Sequence, residues 1–309
     1  MSGKRERWVR GISLLVLAVV AALLVRYART VDWPAVRDAL GAYPPGRLAA
    51  AATLALSSYV LYACYELAAR SYVGHGLPRT RVAAIGLVSY AFNLNLGALV
   101  GGGGMRYRLY TRAGLKAGDI ARVVAFTVVT NWFGYLVLAG GVFALGLVVP
   151  PQGYAVGAGG ARALVGLLLA AAVAYLAACA FARGRTWHVR RFRFQLPGLP
   201  LAAWQVALST ANWLVIATLL HLLLDQRVEF PLLLGVVLLG AVAAAMTHIP
   251  AGLGALEAVF VLMLGSRIPQ HELLAALLAY RAIYYLAPLL LAVAGYFGLE
   301  ARQRALDAR

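Results

Sequence analysis

Apolar runs of helical length punctuate the chain at about 11–28, 48–72, 82–104, 120–149, 161–182, 201–224, 231–249, 251–266 and 273–298. Short segments rich in Arg, Gly and Pro separate them. Crossing a bilayer core takes about 20 apolar residues, and most of these runs supply them. Two places break the pattern. The run 82–104 ends in four consecutive glycines, Gly101 to Gly104, and 251–266 is too short to span and opens on Pro250, Gly252 and Gly254. Backbone groups freed in lipid are tolerated only where protein or a cavity satisfies them. Both breaks therefore read as interruptions that line a cavity.

The polar positions arrange these runs. With Lys4, Arg5, Arg7 and Arg10 on the cytoplasmic side, the first span exits and 48–72 returns near Arg70, Arg79 and Arg81. If 82–104 dips in and comes back, the cluster Arg106, Arg108, Arg112, Lys116 and Arg122 is cytoplasmic as well. The basic segment Arg183 to Arg193 then lands on the same side, and 231–266 forms a second dip from the other face. Most of the 28 Lys and Arg fall inside, as the positive-inside rule requires. A broken full span at 82–104 is the alternative. The fold class expected is an all-α polytopic membrane protein, a single domain over 1–309. It has about six full spans plus two re-entrant or broken helical hairpins, arranged as an inverted repeat. Repeat one covers about 11–149 and repeat two about 161–298. Interrupted helices at matching positions of two such halves are the sequence pointer to a transporter's binding site.

Composition agrees. The chain of 309 residues is 62% hydrophobic and 13% charged, with mean hydropathy +0.79, where soluble domains carry roughly 25% charged residues. The net charge of +17 sits mostly in short loops, where topology and anionic lipid account for it. No nucleic-acid-binding motif accompanies it. Cys64 and Cys179 lie inside apolar runs and read as packing residues. The N-terminal stretch imitates a signal peptide, but no small-residue cleavage motif precedes Arg26, so it reads as a retained span. Trp33, Trp187 and Trp204 fall near expected interfaces.

The candidate chemistry concentrates at the breaks. Gly103 and Gly104, with the arginines that follow, offer backbone amides and forked guanidinium donors suited to a phosphate. The quartet lacks the Gly-Lys-Ser/Thr of a nucleotide-binding loop. Glu66 and Glu257 are the acids within apolar stretches, and Arg281 is the base inside a span. A charge at the centre of a membrane helix costs about 2.5–3.5 kcal/mol on insertion scales, so each is expected to face a partner or a cavity. The expected pairs are Glu257 with Arg281, and Glu66 with Arg106 or Arg108. Asn93, Asn95 and Asn131 are candidates to satisfy freed backbone, and His248 stands beside the second break. No metal-binding spacing, cofactor motif or catalytic cluster is visible, so no enzyme is expected and no cofactor.

The segments GGGGMRYRLY, HIPAGLGALEAVF and YRAIYYLAPLLL, in this order, resemble the lysylphosphatidylglycerol synthetase transmembrane-region family. That family forms the flippase half of the bacterial multiple peptide resistance factor and includes stand-alone membrane proteins. The resemblance covers roughly 11–298. It implies a lipid-translocase fold in which Arg106 and Arg108, Pro250, Gly252, Gly254 and Glu257, and Tyr280, Arg281, Tyr284, Tyr285 and Pro288 surround a lipid cavity, with Glu66 as the acid of the second span. No soluble synthetase domain follows in this sequence, so the substrate of the fused proteins does not transfer.

The expected function is movement of an anionic or phosphate-bearing lipid across a bacterial inner membrane, with both termini cytoplasmic. The expected partners are a phospholipid or other phosphate-bearing lipid, the membrane itself, and no nucleic acid. A homo-oligomer and a separate synthetase or transferase partner remain open. Two alternatives stand beside this reading: a membrane enzyme acting on a lipid or polyprenyl phosphate, and an accessory subunit docking a soluble partner.

Overall fold

The computed structural model describes residues 33–146, 158–181, 186–189, 192–247 and 249–295. The expected first span, the loop following 146 and His248 lie outside them. The described chain is helical apart from one small β-hairpin. A short helix α1 (Trp33–Gly41) precedes the long α2 (Pro45–Val73). Proline opens α2, where its missing N–H is harmless. Gly74 closes it in the left-handed region (φ +79°), with its N–H on the Arg70 carbonyl at 2.9 Å.

Six described stretches are long and apolar enough to cross a membrane. Two of them belong to hairpins and do not cross, Phe230–Thr247, taken up below, and Arg79–Arg112. At about 1.5 Å per residue the 34 residues of Arg79–Arg112 would reach some 51 Å, well beyond the roughly 30 Å core. It folds back on itself instead. Helix α3 (Arg79–Gly97) ends at Gly97, whose φ of +81° reverses the chain. The return limb runs as a π-helix, Ala98–Gly104, into α4 (Met105–Arg112). A Cβ on Gly101 would overlap the Phe92 carbonyl, and one on Gly102 would lie 2.5 Å from the Asn93 Oδ1. The re-entrant hairpin expected from charge counting is present, but its apex is Gly97 and not the glycine quartet. Gly101 and Gly102 instead let the return limb lie directly on α3. Gly103 and Gly104 sit within that helical limb and have room for a methyl group.

Helix α5 (Ala117–Ala144) then crosses, and α6 (Ala158–Phe181) returns. Strands β1 (Thr186–Val189) and β2 (Phe192–Gln195) pair antiparallel, with His188 opposite Arg193, in the segment expected to be a plain basic loop. Helix α7 (Leu199–Leu223) crosses again and packs closely on α5, where Gly134 leaves space for Ser209. Such small-residue contacts let helices approach without a hydrophobic driving force. Trp33 and Trp204 stay half exposed near helix ends, where amphipathic rings belong.

The second hairpin follows. Helix α8 (Phe230–Thr247) enters, the chain turns through Pro250–Gly252, and α9 (Ala255–Leu264) returns. Ala251, Gly252 and Gly254 all have positive φ there. Gly240 accommodates Leu256, and Gly252 lies against Ala244. Helix α10 (Gln270–Tyr280) continues as a π-helix, Arg281–Leu286, within an apolar stretch described to Gly295.

Contacts fix which ends share a face. On one face Tyr43 donates to the Leu223 carbonyl, Arg47 pairs with Asp225, Arg227 pairs with Glu272, and α1 packs through Val36 on Leu274 and Ala275. On the opposite face Tyr72 donates to the Gln195 carbonyl and stacks on Phe126, and His75 meets Tyr110 edge-on. The hairpin α3–α4 opens on the second face and α8–α9 on the first. The two enter from opposite sides.

Close packing of the return limb makes a paired prediction. Gly101→Ala should lower the thermal midpoint in detergent by the equivalent of about 1–3 kcal/mol of overpacking. Gly103→Ala, whose methyl would meet only the Ala98 carbonyl at an ordinary 3.6 Å, should leave it unchanged or raise it by up to about 1 kcal/mol of helix propensity. Equal effects at the two glycines would contradict the hairpin packing.

Candidate functional site

Each hairpin is tied to a crossing helix by one buried ion pair. In the first half the acid comes from the crossing helix. Glu66 on α2 is fully buried and accepts from Arg106 of α4, from Nε at 3.1 Å and from Nη2 at 3.0 Å. Tyr110, one turn further along α4, donates to its Oε1 at 3.0 Å. Gly86 of α3 makes room for this carboxylate arm: a Cβ there would sit 2.9 Å from the Glu66 Cβ. Arg106 also donates to the Gly102 carbonyl at 3.2 Å and lies 5.9 Å from the Tyr62 ring centre. Of the two partners open from sequence, Glu66 thus takes Arg106. Arg108 lies on the exposed side of the same limb.

In the second half the polarity is exchanged. Glu257 lies on the return limb α9 and Arg281 on the crossing helix, with Nε to Oε1 at 2.7 Å. The other Glu257 oxygen accepts the Gly254 N–H at 2.9 Å and caps α9. The rest of the Arg281 fork donates to the Ala251 carbonyl at 2.9 Å and the Gly252 carbonyl at 3.4 Å. One ion pair therefore serves the N–H and the carbonyls that the broken backbone around Pro250 leaves free. The Arg281 guanidinium also lies 5.5 Å from the Tyr285 ring centre.

Between the hairpins runs a chain of buried hydroxyls. Ser58 Oγ donates to Asn212 Oδ1 at 2.6 Å, so it accepts from Tyr284 Oη at 2.5 Å, which in turn accepts from Tyr90 Oη at 2.7 Å. Tyr59 donates to the Tyr284 carbonyl at 3.2 Å. Tyr62 stacks on Tyr90 at 3.6 Å and Tyr280 on Tyr284 at 5.2 Å. Part of this network walls a cavity of about 150 Å³ bounded on its polar side by Tyr62, Tyr90, Asn93, Asn131, Asn212, Trp213, Tyr280, Tyr284 and Tyr285. Leu94, Ile216, Leu220, Val237 and Leu256 close its apolar side. A larger vestibule of about 550 Å³ lies on the face of the Arg47–Asp225 and Arg227–Glu272 pairs. In its wall, burial pushes the Tyr43 hydroxyl up to about 12, which keeps it a donor to Leu223. On the opposite face, burial and then Arg70 lower the titration of His75, which favours the neutral ring.

The structure brings together Glu66, Arg106, Gly252, Gly254, Glu257, Tyr280, Arg281, Tyr284 and Tyr285 around the two hairpin bases and this cavity. Gly103 and Gly104 lie in the return limb, away from an open helix start, and Pro250 opens the second turn. Asn95 satisfies backbone as expected, donating to Ala91 and, across to the other half, to the Tyr285 carbonyl at 3.2 Å. Sequence reasoning missed Ser58, Tyr59, Tyr62, Tyr90 and Asn212. The spacing of Tyr59, Tyr62 and Tyr65 by three residues, on one helical face, was the signal. Cys64 and Cys179 are free thiols, and among the described residues no cluster of acids, His and Cys has the makings of a metal site.

Removing one member of a buried pair strands the other charge, a loss of about 3–5 kcal/mol, while replacing both by apolar groups is far milder. Glu66→Leu alone should therefore unfold in detergent well below the unaltered protein, and Glu66→Leu combined with Arg106→Met should recover most of the loss. Equal melting of the single and double variants would contradict the pairing.

Comparison with known proteins places this geometry. The chain is 41% identical over 314 residues to the inner membrane protein YbhN of Escherichia coli K12, covering all of this chain and 98% of that protein. It is 32% identical to an uncharacterized protein of Synechocystis, over 79% of this chain and 76% of the relative. A 97-residue segment is 33% identical to a phosphatidylglycerol lysyltransferase of Staphylococcus haemolyticus, covering 30% of this chain and 12% of that enzyme. The profile described as the lysylphosphatidylglycerol synthase TM region matches residues 12–292. With opposed hairpins, paired charges and near-complete coverage in agreement, this multi-pass membrane protein belongs to the lysylphosphatidylglycerol synthase transmembrane-region family.

Proposed function

We propose that the protein is a lipid translocase-like transporter that moves a phosphate-bearing lipid between the leaflets of a bacterial inner membrane. The observation that carries this reading is the cavity enclosed where two hairpins from opposite faces meet. A site between interrupted helices of inverted halves is the architecture of alternating access. The halves, about 11–149 and 161–298, act as the two inverted repeats. The face bearing Arg70, Arg79, Arg81, Arg112, Lys116 and Arg122 is cytoplasmic by the positive-inside rule, and so are both termini.

The exposed Arg108 meets the lipid phosphate at the cytoplasmic mouth of the first hairpin. Arg106 acts through Glu66, holding the limb that presents Arg108. Arg281 and Glu257 form the release element: a headgroup passing Tyr284 and Tyr285 competes for the guanidinium and loosens the second turn. A lipid shifts such an equilibrium only through its unequal affinity for the two states. Support comes from a lipid-linked family and from a relative named as an inner membrane protein. No nucleotide motif is present, so the drive is a lipid gradient, the membrane potential or ions.

Reconstituted into proteoliposomes, the unaltered protein should equilibrate a headgroup-labelled phospholipid between leaflets. Glu257→Gln should slow that exchange by about tenfold or more, the equivalent of about 1.4 kcal/mol, while the melting profile shows a folded protein. Folded Glu257→Gln and Arg281→Gln variants that match the unaltered rate, or an unaltered protein that moves no lipid, would overturn the proposal.

A further inference from the structure

On the face opposite the basic loops, the outer one in the orientation above, the vestibule continues the central cavity along two helices. Ile216 and Leu220 of α7 line the cavity; Leu223 and Leu224, on the same side of that helix and one turn further on, line the vestibule. Helix α10 repeats the relation, with Ala275 in the vestibule wall and Tyr280 in the cavity wall. Those two residues lie roughly 7.5 Å apart along the helix axis. Between them Ala276 and Ala279 are buried, so small side chains fill part of the interval.

The vestibule wall includes a strained turn. Where α7 ends, Asp225 and Gln226 take consecutive left-handed conformations, φ +56° and +58°, without being glycine. Such backbone persists only where the surroundings hold it, and it gathers at switch regions. Here the holding groups are charged. Asp225 pairs with Arg47 at the foot of α2, Nη2 to Oδ1 at 2.5 Å, and Arg227 pairs with Glu272 in the first turn of α10. Tyr43 donates to the Leu223 carbonyl at 2.7 Å. The turn belongs to the second half of the chain, yet Tyr43 and Arg47 clip it to the first. Both ion pairs line the vestibule, and their side chains are a quarter to a half exposed. Ion pairs so placed add little to stability and part readily. The buried pairs Glu66–Arg106 and Glu257–Arg281 differ, because parting them strands a charge.

We infer that this turn is the outer latch of the transport path: exchange with the outer leaflet requires Asp225 to leave Arg47 and the vestibule to open. The inference rests on the transport reading and adds the element that controls its outer end. Release is favoured by the backbone it relaxes at Asp225 and Gln226. The turn leads directly into α8, the entering limb of the second hairpin, so its release frees one end of that hairpin.

Two measurements on the full chain, with Cys64 and Cys179 replaced, test the latch. In the first, Arg47→Cys and Asp225→Cys are joined in proteoliposomes by a short bis-methanethiosulfonate, and exchange of a headgroup-labelled phospholipid is followed. Joining should slow exchange about tenfold or more, and cleaving the bridge with dithiothreitol should restore it. Capping both cysteines with methyl methanethiosulfonate should leave the rate of the unjoined protein. The second needs no transport: Ala275→Cys reports access to the vestibule wall. Asp225→Asn keeps a residue tolerant of the left-handed region and removes the charge, so it should raise labelling of that cysteine by an impermeant maleimide about tenfold. A joined protein that exchanges lipid at the unjoined rate overturns the latch, and so does a cysteine labelled no faster in Asp225→Asn. Faster labelling in a protein that moves no lipid overturns the transport reading while showing that the turn opens.

Discussion

A chain that turns back inside a bilayer must find partners for the backbone groups its turn sets free, and the architecture follows from how this is done. At the second hairpin a single ion pair does most of it. Arg281 donates to the Ala251 and Gly252 carbonyls and to Glu257, and Glu257 accepts the Gly254 N–H. The first hairpin uses compactness instead. Gly97 turns the chain, Gly101 brings the return limb onto the α3 backbone at Phe92, and Gly102 lets it lie against the Asn93 side chain. Asn95 near its tip reaches the Tyr285 carbonyl, so a group of one half satisfies backbone in the other.

The two ion pairs share a logic with reversed polarity. A crossing helix contributes Glu66 to the first and Arg281 to the second, and a return limb contributes Arg106 and Glu257. Both arginines adjoin π-helical segments, Ala98–Gly104 and Arg281–Leu286, and such wide turns concentrate at functional positions. Tyr284 lies three residues after Arg281 in the same segment and stands at the centre of the hydroxyl chain joining α2, α3 and α7. The segment that carries Arg281 is thereby hydrogen-bonded to α2 and α3 and, through Ser58, to α7. These elements come from both halves of the chain, so the hydroxyl chain is a physical link between them.

The helical membrane fold was legible because lipid leaves few options: apolar length gives spans, and basic loops give their sense. The opposed hairpins were legible for the same reason, since a full crossing at 82–104 would have exported the densest basic cluster. Their detail was not. A glycine quartet advertises a break more loudly than lone Gly97 does, yet positive φ, not glycine number, turns the chain. Two of the four, Gly101 and Gly102, instead answer to close approach, a tertiary demand that no local pattern states. The pair Glu257–Arg281 could be argued from the cost of buried charge alone, whereas the choice of Arg106 over Arg108 depended on helical phase along the return limb. Tyr62 and Tyr90 in the cavity wall were missed because aromatic stripes usually mean core packing. The strands at 186–195 were missed because a basic loop carries no signal of its own pairing.

The hairpin at Gly97 underlies the cavity, the two ion pairs and their opposition, and side-specific labelling addresses it most directly. Single cysteines placed at Gly76 and at Lys116, in a background with Cys64 and Cys179 replaced, would be probed with a membrane-impermeant maleimide in right-side-out and inverted vesicles. The account predicts that both positions label from the same side, because Arg79–Arg112 enters and leaves through one face. Labelling of the two positions from opposite sides would mean a full crossing and would contradict it.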